Sequence, residues 1–382
     1  MMDAQARFER LMAVRRVGPE GVARLQRVRA AVLGVGAIGG WIAQQVVDVC
    51  ANVVLVDRGL VERVNVGAQG FQEIDEGLSK VAARARALRP RNRSCKIETI
   101  HADIRDLGFG ALGELDLVFV ALDSRPDRVI ANQLALRRSY SVIDCAVDGS
   151  GRSLVARVAA YGGEGACYVC PRDAGDLAAI MREGSAGCPA WSWGRATEAG
   201  APTLSIPSLG AAVAGIAVTW GLRMLLSGAQ DVAGRELLMD LDRDTFSVRK
   251  LRRNPLCLAD HRPFSLVPAA RGTVEQTLRE AAGPVGEPVV LELQRRGVAC
   301  AIRCPYCLQE RRPYKLLDAI SPSEGACGCG GVMQPVAGLV LDTFGLEQAE
   351  PFLSRTWDQL GLPAADVVVA RGPKGEADLC LM

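Results

Sequence analysis

The stretch that most constrains this chain is Ala30-Ala31-Val32-Leu33-Gly34-Val35-Gly36-Ala37-Ile38-Gly39-Gly40. An apolar run opens into G-x-G-x-x-G, and a helical pattern follows through Trp41, Ile42, Val46 and Val47. A second apolar run, Asn52 to Val56, ends on Asp57, 23 positions after Gly34. Strand, glycine turn, helix and second strand make one βαβ unit. In such a unit Gly34 permits the tight turn, Gly36 lets backbone N–H groups approach a phosphate, and Gly39 lets helix and strand pack closely. Asp57, at the end of the second strand, is placed to hydrogen-bond a ribose. The motif points to an adenine nucleotide and leaves a dinucleotide and ATP both open.

The alternation continues downstream. A helix is predicted from about Ser79 to Leu88, with Ser79 as its cap and Lys80 in its first turn. A lysine there opposes the helix dipole, so it reads either as a phosphate contact or as a plain surface residue. Strands are predicted at Cys95–Ala102, Leu115–Ala121 and Ser141–Ala146, with a helix from about Pro126 to Tyr140. The expected class is α/β, a Rossmann-like and largely parallel sheet with helices on both faces. Ligands of such sheets lie outside the carboxyl ends of the strands. Asp123, directly after the strand ending at Ala121, is therefore placed to meet phosphates or their metal. Arg128 and Asn132 share one side of the following helix, and Arg128 is a candidate nucleotide contact.

Further on, residues 172–202 read as a long crossing loop containing Cys188, and Thr203–Leu226 as a buried glycine-rich helix. Arg223 and several glycines interrupt that helix, which argues against a membrane span. A hairpin is expected at 236–242 and 245–251. The N-terminal residues 3–29 read as a basic helical arm with a turn at Gly18-Pro19-Glu20-Gly21. Proline and polar residues accumulate after 263, so the expected domains are 1–263 and a smaller α+β domain at 264–382.

Composition narrows the partners. A formal net charge of +2 over 382 residues argues against a nucleic-acid or membrane surface. The charged start, Met1 to Arg16, does not resemble a secretory signal. Thirteen cysteines without such a signal point to a reducing, cytoplasmic setting and to metal ligation.

Taken together, residues 7–262 resemble the ubiquitin-activating-enzyme-like superfamily, the ThiF, MoeB and HesA type of adenylyltransferase. The resemblance is carried by Arg7-Phe8-Glu9-Arg10 with Gly18-Pro19-Glu20-Gly21, by Gly34 to Gly39 with Asp57, and by Asn65 and Gln69 in an Asn-x-x-Arg-Gln position. Lys80, Leu122-Asp123 with Arg128 and Asn132, the Cys-x-x-Cys at 167–170 and the later Asn-Pro-x-Cys complete it. It implies ATP-dependent adenylation of the C-terminal glycine of a ubiquitin-like or sulfur-carrier protein. Lys80 would then contact phosphates, Asp123 would hold Mg²⁺, and Asp57 and Asn65 would fix the nucleotide. Arg10 would act in trans from a partner subunit, which implies a homodimer, and a conjugating enzyme or sulfurtransferase would follow in the reaction sequence.

Two positions depart from that pattern. Ala68 stands where the family has arginine beside Gln69, and Gly59 stands at the second acid of Asp-x-Asp. Loss of a transition-state arginine costs orders of magnitude in rate. Either Arg63 or Arg58 takes its place, or adenylation is slow or absent, and the runner-up reading is a non-catalytic nucleotide-binding scaffold or heterodimer subunit. An NAD-dependent oxidoreductase is a third reading.

Two cysteine sets suggest Zn²⁺. Cys167, Cys170 and Cys257 form one, with His261 or Asp260 as the fourth ligand; imidazole suits zinc better. Cys304, Cys307, Cys327 and Cys329 read as a zinc ribbon, with Cys300 as a substitute ligand. Cys188 is either an acyl-accepting nucleophile that forms a thioester or an ordinary loop cysteine. Cys50, Cys95, Cys145 and Cys380 sit in apolar patterns and are expected in the core.

Overall fold

Beyond its first residue, Arg29, the strand Arg29–Leu33 (β1) is a short run of small and branched apolar residues buried on both faces, which suits the centre of a parallel sheet. In the computed structural model, which describes residues 4–149, 153–183, 206–348 and 350–382, it is that centre. Asn52–Val56 (β2) and Lys96–Ile100 (β3) extend the sheet on one side, Leu117–Val120 (β4) and Val142–Asp148 (β5) on the other. All five run parallel; Ala31 of β1 stands between Val54 of β2 and Val118 of β4. Three antiparallel strands follow, Val155–Tyr161 (β6), Arg235–Asp240 (β7) and Thr245–Lys250 (β8). The order β3-β2-β1-β4-β5-β6-β7-β8 puts the topological switch between β1 and β4.

Helices cover both faces. Gly39–Val49 (α3) and Pro207–Ser227 (α7) pack with Ala30, Val32, Leu117 and Phe119 in one apolar cluster. Period-two alternation turns Ala31, Leu33, Val118 and Val120 to the opposite face, also buried, where Arg125–Arg137 (α5) packs against β4. By length and hydropathy α7 would be long enough for a membrane span, but Val213, Ala217, Trp220 and Met224 are buried within this core.

Local chemistry explains the helix starts. Ser79 Oγ accepts from Ala82 N at 3.3 Å and caps Lys80–Leu88 (α4), a contact worth about 1 kcal/mol. The N-terminal arm is Ala4–Met12 (α1) and Gly18–Leu25 (α2); the predicted turn at Gly18–Gly21 instead opens α2, because Pro19 suits a first helical turn. Likewise, the predicted loop after Pro171 contains a helix, Ala174–Glu183 (α6), beside α5.

Of the described residues, 4–149, 153–183 and 206–263, less 106–111, belong to this first unit. A second unit holds 264–382 together with 106–111. Its main sheet runs, in spatial order, Thr343–Phe344, Val290–Leu293, Val367–Gly372, Gly375–Leu381 and Leu266–Ala269. Val274–Val285 (α8) and Trp357 pack on it. Segment 106–111 is built in by a hydrogen bond from Gly110 N to Ala365 O at 2.8 Å and by Phe109, edge-on to Phe264 at 5.1 Å. Two three-stranded ribbons carry the Cys304 knuckle and the strands beside it.

Candidate active site

The glycine loop leaves β1 at the switch point. Gly34 has φ +85°, and a Cβ there would stand 2.5 Å from Ala121 O at the end of β4. A Cβ at Gly39 would collide with Gly34 O, so helix α3 begins as close to the strand as a backbone allows. Gly36 faces the Gln69 amide: a Cβ there would lie 3.4 Å from Gln69 Oε1. That oxygen is buried without a partner, as is Nε of Arg84 beside the same loop. Bare glycine backbone flanked by orphaned polar atoms is the cradle a nucleotide fits.

Asp57 closes the loop from β2. Its Oδ2 accepts from Val35 N at 2.9 Å and its Oδ1 from Gly59 N at 2.7 Å. Lys80 N donates to Gly59 O at 2.9 Å, and the Lys80 stem lies against Gly59 and next to Asp57; the missing second acid leaves the room it fills. Asn65 is buried, with Oδ1 accepting from Glu62 N at 3.0 Å, and so fixes the 63–65 turn.

Asp123 follows β4 and keeps one face open to solvent. Enclosure by surrounding protein raises its carboxyl above the ordinary range; Arg128 and Lys80 oppose the shift and Asp57 adds to it. These groups therefore share one electrostatic neighbourhood at the carboxyl ends of β1, β2 and β4. Arg128 itself is buried and engaged with Asp144 and with Leu122 O, so it positions the Asp123 loop. Neither expected substitute for the missing arginine is free at the glycine loop: Arg58 pairs with Asp103 at 2.6 Å and Arg63 is exposed. Sequence reasoning passed over Arg84, whose position four residues after Lys80 was the available signal. Arg10 is exposed in the last turn of α1. Cys188 lies outside the described residues.

Both cysteine sets converge. The ligand atoms of Cys167, Cys170, Cys257 and His261 lie within 4.8 Å of one another, as do those of Cys304, Cys307, Cys327 and Cys329. A tetrahedral Zn²⁺ with usual bond lengths sets S···S edges of about 3.8 Å and S···N edges of about 3.6 Å. The separations are 3.7 Å for Cys167–Cys257, 3.6 Å for Cys170–His261, and 3.5 Å and 3.4 Å for Cys304–Cys329 and Cys307–Cys327. Zinc fits both sets, as a structural ion with no open position. Burial, then Arg253, lowers the His261 pKa, which favours the neutral imidazole that ligates metal. Asp260 pairs instead with Arg137 at 2.7 Å, and Cys300 is not in the second set.

A nucleotide cradle at the switch point, a lysine and two carboxylates around it, and a Cys-x-x-Cys metal cluster define an ATP-activating class of α/β protein. The ThiF family matches residues 8–259, and the chain belongs to that family and so to the E1-like adenylyltransferases. It is 26% identical over 262 residues to the SAMP-activating enzyme E1 of Haloferax volcanii, covering 66% of this chain and 87% of that protein. It is also 26% identical over 261 residues to the sulfur carrier protein adenylyltransferase of Thermus thermophilus, covering 66% and 89%. Among solved structures, E. coli MccB with succinimide shares the fold, with TM-score 0.53, 18% identity and coverage of 66% of this chain and 74% of that one.

Proposed function

We propose that this chain uses ATP to adenylate the C-terminal glycine of a ubiquitin-like or sulfur-carrier protein. The observation that carries the reading is the grouping of Asp57, Lys80 and Asp123 about the Gly34–Gly39 loop at the switch point. The attacking group is a carboxylate, ionised near neutral pH, so no general base is required. Its oxygen forms a bond to the α-phosphorus as the bond to the bridging oxygen breaks, and pyrophosphate leaves with that electron pair. What the protein supplies is alignment and charge. Lys80 contacts the phosphates, Asp57 and Asn65 fix the nucleotide, and Gln69 meets it over Gly36. Asp123 would hold Mg²⁺, which neutralises charge building on the leaving pyrophosphate.

The relatives named above support the substrate class. Arg10 acting from a second copy, a thioester on Cys188 and a cytoplasmic setting belong to the same reading. The second unit serves as a docking module for the carrier or a downstream conjugating enzyme or sulfurtransferase. Tyr306 and Leu308, 81% and 69% exposed on the Cys304 knuckle, support that role.

Pyrophosphate exchange into ATP with Mg²⁺ and a Gly-ending carrier protein tests the activity. Asp123→Asn should abolish exchange and leave the fold as stable or slightly more so. The raised carboxyl pKa makes the folded state lose stability as pH rises through it, and the amide carries no such charge. Wild-type protein silent in exchange, yet binding ATP, would favour the scaffold reading that Ala68 and Gly59 suggest.

A further inference from the structure

Ala68 leaves the Asn65–Gln69 segment without its arginine, yet a buried cation reaches the same place from another element. Arg84 lies one helical turn beyond Lys80 on α4, so both project from one helix face. Its Nη2 donates to Gln69 O at 2.8 Å and to Val35 O at 3.3 Å, and its Cζ lies 4.2 Å from the Phe71 ring centroid. It therefore joins the glycine loop to the segment bearing Asn65, Ala68 and Gln69.

Several features set Arg84 apart from a structural arginine. It is 8% exposed. Both hydrogen bonds go to neutral carbonyl oxygens, and its Nε is buried without a partner. Burial lowers its pKa to about 10, against the pull of Asp75 and Asp57. A desolvated guanidinium with unused donors is costly unless an anion pairs with it. The neighbouring backbone also makes room for it: a Cβ at Gly40, in the first turn of α3, would collide with Nη2. A planar fork with five donors can keep one carbonyl contact and still present N–H groups to a phosphate.

We propose that Arg84 is the phosphate-contacting cation of this nucleotide site, standing in for the arginine absent at Ala68. The proposal rests on the ATP-activating reading, and Arg84 then belongs to the binding machinery together with Lys80. Gly40 is its structural counterpart, since any side chain there would displace the guanidinium.

Calorimetric titration of the full chain with ATP and, separately, with adenosine tests it. Arg84→Met keeps an unbranched stem over Phe71 and removes the charge. It should weaken ATP about tenfold or more, the worth of a charged hydrogen bond, and leave adenosine unchanged. Ala68→Arg added to Arg84→Met should recover ATP affinity, because Ala68 is exposed and has space for the longer side chain. Equal losses of ATP and adenosine would make Arg84 a structural clamp and overturn the proposal, as would unchanged ATP binding. Should Arg84→Met not fold, Arg84→Lys provides the same comparison: it keeps the charge, loses the fork and should weaken ATP alone. None of these measurements needs turnover or a carrier protein. Failed pyrophosphate exchange with the ATP-over-adenosine difference intact would refute the adenylation reading and leave Arg84 in place.

Discussion

Replacing Asp144 with asparagine should unsettle both the sheet and the loop that carries Asp123. Asp144 is 2% exposed on β5, with one carboxylate oxygen on Arg128 and the other on Arg157. Arg157 continues to Glu236 at 3.1 Å, and Glu236 to Arg249 on the edge strand β8. Arg128 in turn holds Leu122 O, the carbonyl next to Asp123. Removing one member of a buried ion pair leaves an uncompensated charge and costs about 3–5 kcal/mol. At about 2–4 °C per kcal/mol for a unit of this size, the first unit should melt roughly 10 °C lower. Burial by itself would raise the Asp144 carboxyl, but Arg128 and then Arg157 overcome it and hold the group below the usual range. Its stabilisation is therefore present above the unfolded value of about 3.9 and is lost as pH falls through the lower folded value. Urea denaturation of wild type and Asp144→Asn should show the full gap at pH 7 and a shrinking gap below about pH 4. A gap under 1 kcal/mol at pH 7, or one that stays constant into acid, would refute this account.

Other outcomes follow from the same contacts. Gly39→Ala forces a methyl group onto Gly34 O and should cost about 1–3 kcal/mol while weakening ATP binding; calorimetry and thermal melts read both. Two equivalents of Zn²⁺ should be released per chain on thiol modification, measured with a colorimetric chelator. Cys304→Ser and His261→Ala should each lower that number by one, since their ligand sets are separate clusters.

Periodicity made the central sheet readable, because β1, β2 and β4 are continuous apolar runs bounded by glycine or acid. The metal sets were readable for a different reason: their residue types are rare, and only two histidines exist. Arg84 was not. In Lys80-Val-Ala-Ala-Arg-Ala-Arg-Ala-Leu88 it looks like Arg86, yet one is 8% exposed at the glycine loop and the other is half-exposed and reaches in to the buried Asp75. Only the rotation of α4 separates them, and that depends on tertiary packing. Arg128 was read as a nucleotide contact because its partner Asp144 lies 16 residues away, adjacent only once β4 and β5 pair. The helix α6 escaped notice because it opens the glycine-, alanine-, proline- and arginine-rich stretch 172–202, although Leu177, Ile180 and Met181 within it have helical spacing.

The short segment 106–111 has a consequence for how this chain is assembled. Synthesised early, it is completed only by residues made much later: Gly110 waits for Ala365, and Phe109 for Phe264 and for the Arg295 guanidinium 4.2 Å from its ring. Until then a phenylalanine that ends 1% exposed has no cover. No single cut in the sequence therefore yields two whole units. Residues 264–382 expressed alone would lack a piece of their own interior, and a chain ending at 263 would carry that piece bare, with the aggregation risk that exposed aromatic surface brings.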